Sequence, residues 1–236
     1  MSIDRLVSTL LYLAITILAI TILFMDRKLI IYPKLIALLL ILGVYFVKVK
    51  NRKLNYYYIV SMLIMVANDA LILTGFDTYF TIITLLGSAY FILSTFAISN
   101  YIKKEDVKIS KFYSFPILIG IILLGYLIYA ITDLVLPYVL GSLWSLSIFV
   151  VSMVAFTICC FFIFVGDRYT GTFKLFIAAS CCLVVNALIP VNYFVYYTKV
   201  FTLLINLFEL VGFFLFTLFL VSATAKLPSK TTNQFI

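Results

Sequence analysis

The sequence predicts an all-α fold, a polytopic membrane helix bundle of about eight transmembrane helices with both termini cytoplasmic. Three observations lead there. First, 65% of the 236 residues are hydrophobic and only 11% are charged, with a mean hydropathy of +1.23, whereas soluble domains run at about 45–50% apolar and 25% charged. Second, apolar runs of about 20 residues, the length that crosses roughly 30 Å of hydrocarbon, recur along the whole chain. Third, Lys and Arg gather in alternate connections. Such a composition leaves no room for a separate soluble domain: residues 1–225 read as a single transmembrane helical domain and residues 226–236 as a polar tail.

Leu6–Phe24 is the first run, followed by Met25-Asp26-Arg27-Lys28 and lacking a small-residue cleavage site, so it is expected to remain as a span. The second is short. Leu35–Val47 reaches spanning length only if it starts at Leu29 and takes in Pro33 and Lys34; proline is tolerated in a first helical turn, and Lys34 is expected to snorkel to the interface. Tyr56–Gly75 and Tyr79–Ser99 form a helical hairpin closed at Gly75-Phe76-Asp77-Thr78. Phe112–Ile131 supplies a fifth span. Val135–Val165 is uncharged and too long for one crossing, and Pro137, Gly141 and Ser142 push its expected helical start to about Val139. Phe173–Ile189, expected to stop at Pro190, and Phe201–Val221 complete the set.

Eight spans divide the 17 Lys and Arg residues 13 to 4 between the two sides. The rich side carries Arg5, Lys48–Lys53, Lys103–Lys111, Arg168, Lys174, Lys226 and Lys230; the poor side carries Arg27, Lys28, Lys34 and Lys199. The positive-inside rule puts the rich side, and both termini, in the cytoplasm. A seven-span arrangement without the short second helix keeps a bias in the later loops. The net charge of +8 is thereby accounted for by loops, and no nucleic-acid partner is expected. The expected partners are membrane lipids, and the absence of any N-x-S/T sequon points to a bacterial cytoplasmic (inner) membrane.

Several chemistries are excluded by residue type. The chain has no histidine, so His-ligated metals, Ser-His-Asp triads and Cys-His pairs are absent. Cys159-Cys160 and Cys181-Cys182 are adjacent pairs inside apolar runs, without C-x-x-C spacing, and read as small buried hydrophobes. No cofactor or metal is expected.

Two acidic residues fall at membrane depth, Asp69 in the third run and Glu209 in the eighth, where a charge costs about 2.5–3.5 kcal/mol on insertion scales. Helical spacing puts Ser61, Met65, Asn68 and Ile72 on one face with Asp69 at its border, and stacks Thr202, Asn206 and Glu209 at i, i+4 and i+7. Asn186 is the polar residue of the seventh run. Polar groups of this kind tie helices together or mark a functional pocket. Asp69 and Glu209 are therefore the candidate catalytic pair, and Asn68, Asn186 and Asn206 the candidate substrate-binding residues. Thr81, Thr84, Ser88 and Thr95 form a stripe beside Gly87 that reads as helix packing.

The order of these features resembles the YhhN-like membrane family that includes lysoplasmalogenases. The resemblance runs from Pro33 to about Gly212: the Pro33-Lys34 pair opens the second span, Asn68-Asp69 before Ala70-Leu71-Ile72-Leu73 is similar to the family's Gly-Asp, Val185-Asn186 to its Ser-Asp, and Phe208-Glu209 to its Ala-Gln. The family's fourth-span histidine has no counterpart near Ser88-Ala89-Tyr90, and its second acidic position is the amide Asn186. The resemblance implies an eight-helix fold and hydrolysis of the vinyl-ether bond of a lysoplasmalogen-type lipid in an intramembrane polar pocket. Two other classes stay open: a lipid-binding or structural protein that has lost the chemistry, and a small proton-coupled transporter relaying through Asp69 and Glu209.

Overall fold

The computed structural model describes residues 3–25, 27–49, 53–102 and 140–225, with short pieces between 125 and 138. The predicted fifth span Phe112–Ile131, the basic loop at Lys103–Lys111 and the tail 226–236 lie largely or wholly outside the described residues. Seven long helices are described: α1 (Ile3–Phe24), α2 (Ile31–Val49), α3 (Tyr56–Gly75), α4 (Phe80–Ile98), α5 (Leu143–Gly166), α6 (Thr172–Pro190) and α7 (Lys199–Ser222). Six of them, α2 to α7, are long and apolar enough to cross a membrane. The chain is an all-helical, polytopic integral membrane protein.

The helices form a ring in which α2 packs on α3, α3 on α4, α4 on α5, α5 on α6, α6 on α7 and α7 back on α2; α1 lies outside against α2 and α7. Lipid tails are as apolar as leucine, so such contacts are held by close packing rather than by exclusion of water. Small residues permit it. A Cβ on Gly212 of α7 would stand 3.2 Å from Cys181 Cβ of α6, and one on Gly87 of α4 would stand 2.5 Å from the Phe149 ring of α5. Helix α7 is the most buried of the six spans, with Phe216, Phe219 and Thr217 inside the bundle. Outward faces carry exposed Leu, Ile, Val and Phe, the surface that lipid would cover.

Thr81 and Ser142 hydroxyls lie 2.7 Å apart, and the Thr84 hydroxyl donates to Ser145 at 2.9 Å. The stripe on α4 is thus a packing seam, and its pairing in rising order makes α4 and α5 parallel. Every other sequential pair of described helices runs antiparallel. One end of the bundle therefore gathers the C-terminus of α1 and the N-termini of α2 and α7, fastened by Lys199 Nζ donating to Leu23 O at 2.9 Å.

Local signals explain the element ends. Asn55 caps α3, its Oδ1 accepting from Tyr58 N at 3.2 Å, while its Nδ2 donates to Ala97 O at 2.8 Å and its N–H to Tyr45 Oη at 2.7 Å. That single residue joins α2, α3 and α4. Asp167, at φ 44°, takes the left-handed turn that ends α5, and Gly171 at φ 79° starts α6. Thr198 caps α7 through Phe201 N at 2.9 Å.

The α-helix of the seventh predicted span ends at Pro190 as expected, and the chain coils on from it as a π-turn over Val191–Val195, closed by Tyr196 N donating to Val191 O at 2.9 Å. Two sequence expectations need correcting. Helix α5 starts at Leu143 rather than near Val139, because Leu136–Tyr138 and Leu140–Ser142 form short 3₁₀ turns around the Pro and Gly residues. Lys34 does not snorkel. It is 3% exposed and turned into the bundle.

Candidate functional site: a buried Lys34–Asp69–Glu209 cluster

Lys34 lies in the first turn of α2, Asp69 on α3 about 9 Å from that helix's last residue, and Glu209 on α7 about 15 Å from its first, at 1.5 Å rise per residue. All three converge near the end of the bundle where α2 and α7 begin. Lys34 Nζ is 3.0 Å from Asp69 Oδ1 and 2.6 Å from Glu209 Oε2. Asp69 is completely buried and Glu209 4% exposed. One ammonium thus clamps two carboxylates drawn from two other helices.

The cluster explains why these charges are tolerated. An isolated carboxylate in hydrocarbon is costly, whereas one paired to a cation and packed inside protein is not exposed to lipid at all. Neighbouring polarity is built by the same helical spacing that marked it in the sequence: Ser61, Asn68 and Asp69 are buried on α3, and Thr202, Asn206 and Glu209 on α7. Asn68 Oδ1, Asn206 Oδ1, Asp69 Oδ2 and Glu209 Oε1 have no hydrogen-bond partner among the described residues.

Two cavities flank the cluster. The larger, about 130 Å³, lies between α3 and α7 and is walled mostly by Met65, Phe91, Phe149, Met153, Phe213 and other apolar side chains. Glu209, Asn68 and Asn186 are among the few strongly polar residues on its wall. Asn186 is half-buried, its Nδ2 donating to Cys182 O at 2.8 Å. The smaller cavity is a crevice of about 20 Å³ on the other side of Lys34, lined also by Asn192, Thr202 and Asn206.

The five predicted site residues therefore divide. Asn68, Asn186 and Glu209 meet at the large cavity; Asp69 lies behind them, reached through Lys34; Asn206 belongs to the crevice. Asn206 holds its own helix, its Nδ2 donating to Thr202 O at 2.7 Å.

Sequence reasoning missed Lys34 as a site residue, although a signal was present. Two carboxyls at membrane depth demand a cation, and Lys34 is a basic residue that the second run must take in to reach spanning length. It also missed Asn192, which receives the backbone N–H of Thr198 on its Oδ1 at 2.9 Å and donates to Thr202 Oγ1 at 3.1 Å. No contact visible along the chain foretells that pair. Tyr58, in the first turn of α3, is fully buried, its hydroxyl bonded to Thr217 of α7.

Chemically, Glu209 presents a carboxyl group to an apolar chamber while being held from behind by an ammonium. Such an arrangement can offer a proton donor or acceptor at the edge of an apolar space, with Asn68 and Asn186 as further hydrogen-bonding groups. No protein-family model, no curated protein and no solved structure matches the chain.

Proposed function

We propose that the protein is a lipid-handling membrane protein that seats the segment of a single-chain lipid's hydrocarbon next to its polar linkage in the cavity between α3 and α7, with that linkage at Glu209. The observation that carries this is the placement of Glu209, with Asn68 and Asn186, on the wall of an otherwise apolar 130 Å³ chamber. A chamber of comparable size, about 150 Å³, accepts benzene in an engineered protein core, so this one accommodates a segment of chain rather than a whole lipid.

The reaction we assign is hydrolysis of a vinyl ether, in line with the resemblance to lysoplasmalogenases. In the reacting form Lys34 is paired to ionised Asp69 and Glu209 carries a proton, which leaves the cluster neutral; that proton passes from the Glu209 carboxyl to the alkene carbon, generating an oxocarbenium ion. Water adds to the cation and returns a proton to the carboxylate. The hemiacetal so formed collapses to an aldehyde, which carries away the lipid's one chain, and a chain-free glycerol-headgroup alcohol, so that one water is consumed and no net proton. Asp69 and Lys34 act as positioning residues, fixing the Glu209 carboxyl through the shared ammonium. Asn68 and Asn186 orient the substrate's oxygens, since amides donate and accept but do not exchange protons at neutral pH.

In the same proposal the chain has eight spans and cytoplasmic termini. Two observations support this: α4 ends at one end of the bundle while its parallel neighbour α5 begins at the other, the placement an additional span between them would join, and the basic residues Lys48, Lys53, Arg168 and Lys174 all belong to the end opposite Lys199. With Lys34 withdrawn into the core, the poor side retains Arg27, Lys28 and Lys199, which sharpens the bias.

A second reading has its own observation. Asp69 is sealed off from the large cavity, so a single carboxyl faces the chamber, an arrangement that suits a binding protein without turnover. Aldehyde release from lysoplasmalogen by the purified protein separates the two. Release supports the hydrolase; retention of the lipid without release supports the binding protein; neither binding nor release overturns both.

A further inference from the structure

The crevice on the far side of Lys34 is richer in polar groups than the large cavity, with four polar side chains set among isoleucines and Leu73. Its 20 Å³ exceeds the roughly 10–15 Å³ that one water molecule needs, and leaves no space for a second. Its wall brings together Lys34, Asn192, Thr202 and Asn206. Asn206 is 3% exposed, and its Oδ1 has no partner among the described residues. An ammonium has three N–H donors; the two carboxylates take two of them and leave one. A donor without an acceptor and an acceptor without a donor therefore face one small polar space, and a buried water with two to four polar partners is the ordinary solution.

We propose that this crevice is a single-water site, in which the water accepts from Lys34 Nζ and donates to Asn206 Oδ1. Resting on the hydrolase reading above, the site has a further role: hydrolysis consumes water, the large cavity is walled mostly by apolar groups, and the crevice is the side from which a held water reaches the cluster. Its upper wall, Asn192 and Tyr193, belongs to the π-turn at the end of the bundle that carries Lys199. Asn206 is thereby moved from substrate binding to water binding.

The test is a density map of the full-length protein in a lipid nanodisc at a resolution that resolves waters, paired with Asn206→Leu. The wild type should show one peak within hydrogen-bond distance of both Lys34 Nζ and Asn206 Oδ1, and Asn206→Leu should lack it. A dry or collapsed crevice in the wild type overturns the site, and that result needs no variant to fold. So does an unchanged peak in Asn206→Leu. If the wild type releases aldehyde, Asn206→Leu should lower turnover at least tenfold while still binding the lipid, and unaltered turnover without the water refutes the supply role. A wild type that shows the peak but releases no aldehyde leaves the water site standing and removes only the hydrolase reading.

Discussion

Lys34 Nζ stands 2.6 Å from Glu209 Oε2, joining the first turn of α2 to the middle of α7 inside the membrane-spanning bundle. The same ammonium holds Asp69 of α3 at 3.0 Å, so three helices share one electrostatic fastening. Removing one partner of such a cluster costs far more than replacing all of it, because the remaining charges stay buried without compensation.

Lys34→Met should therefore destabilise the protein by about 3–5 kcal/mol, the range seen when a buried ion pair loses one member. The triple replacement Lys34→Met, Asp69→Leu, Glu209→Met should recover most of that loss. Chemical denaturation in detergent measures both. A Lys34→Met variant as stable as the wild type would contradict the account of the cluster.

Gly87 and Phe149 supply a steric test of the cavity. A methyl group on Gly87 would meet the Phe149 ring at 2.5 Å, and since both residues line the chamber the ring must shift. Overpacking of this kind costs about 1–3 kcal/mol. Gly87→Ala should lower lipid affinity and thermal stability together, read by native mass spectrometry with an ether lysolipid and by a melting curve. Unchanged affinity would place the lipid elsewhere.

Asn55→Ala should cost about 1–2 kcal/mol, since it removes the cap on α3 and the bond to Ala97 O on α4. Lipid binding by the folded fraction should be unaffected, because Asn55 lies at the opposite end of α3 from Asp69. Denaturant midpoints check the first expectation and a binding isotherm the second.

Topology is open to labelling. Asp77, exposed at the α3–α4 turn, should accept a membrane-impermeant thiol reagent only from the non-cytoplasmic side once changed to cysteine. Labelling from the cytoplasmic side alone would reverse the orientation.

How much of this was legible in the sequence differs by scale. Helix α3 begins at Tyr56 and ends at Gly75 as its apolar run predicts, and the periodic faces carrying Ser61, Asn68 and Asp69, or Thr202, Asn206 and Glu209, are the buried ones. Periodicity along one helix is a property of one dimension, so it can be read directly. Lys34 could not be read that way. Its local context, a lysine beside a proline in the first turn of a short apolar run, is that of an interfacial residue; only the arrival of Asp69 and Glu209 from helices 35 and 175 positions away makes the interior the lower-energy place for its charge. The division of the candidate site has the same origin. Glu209 on the cavity wall and Asp69 behind it differ by how α3 and α7 rotate against each other, which no spacing records.

The measurement that tests the central claim most directly is aldehyde release from lysoplasmalogen by the wild type, Glu209→Gln and Asp69→Asn, with lipid binding followed in parallel. Glu209→Gln keeps the side chain's shape and hydrogen-bonding capacity but removes the acid. The account predicts that it abolishes turnover while the lipid still binds, and that Asp69→Asn, at a residue beside Glu209 but off the cavity wall, leaves a reduced but measurable rate. Wild-type turnover retained in full by Glu209→Gln would contradict it.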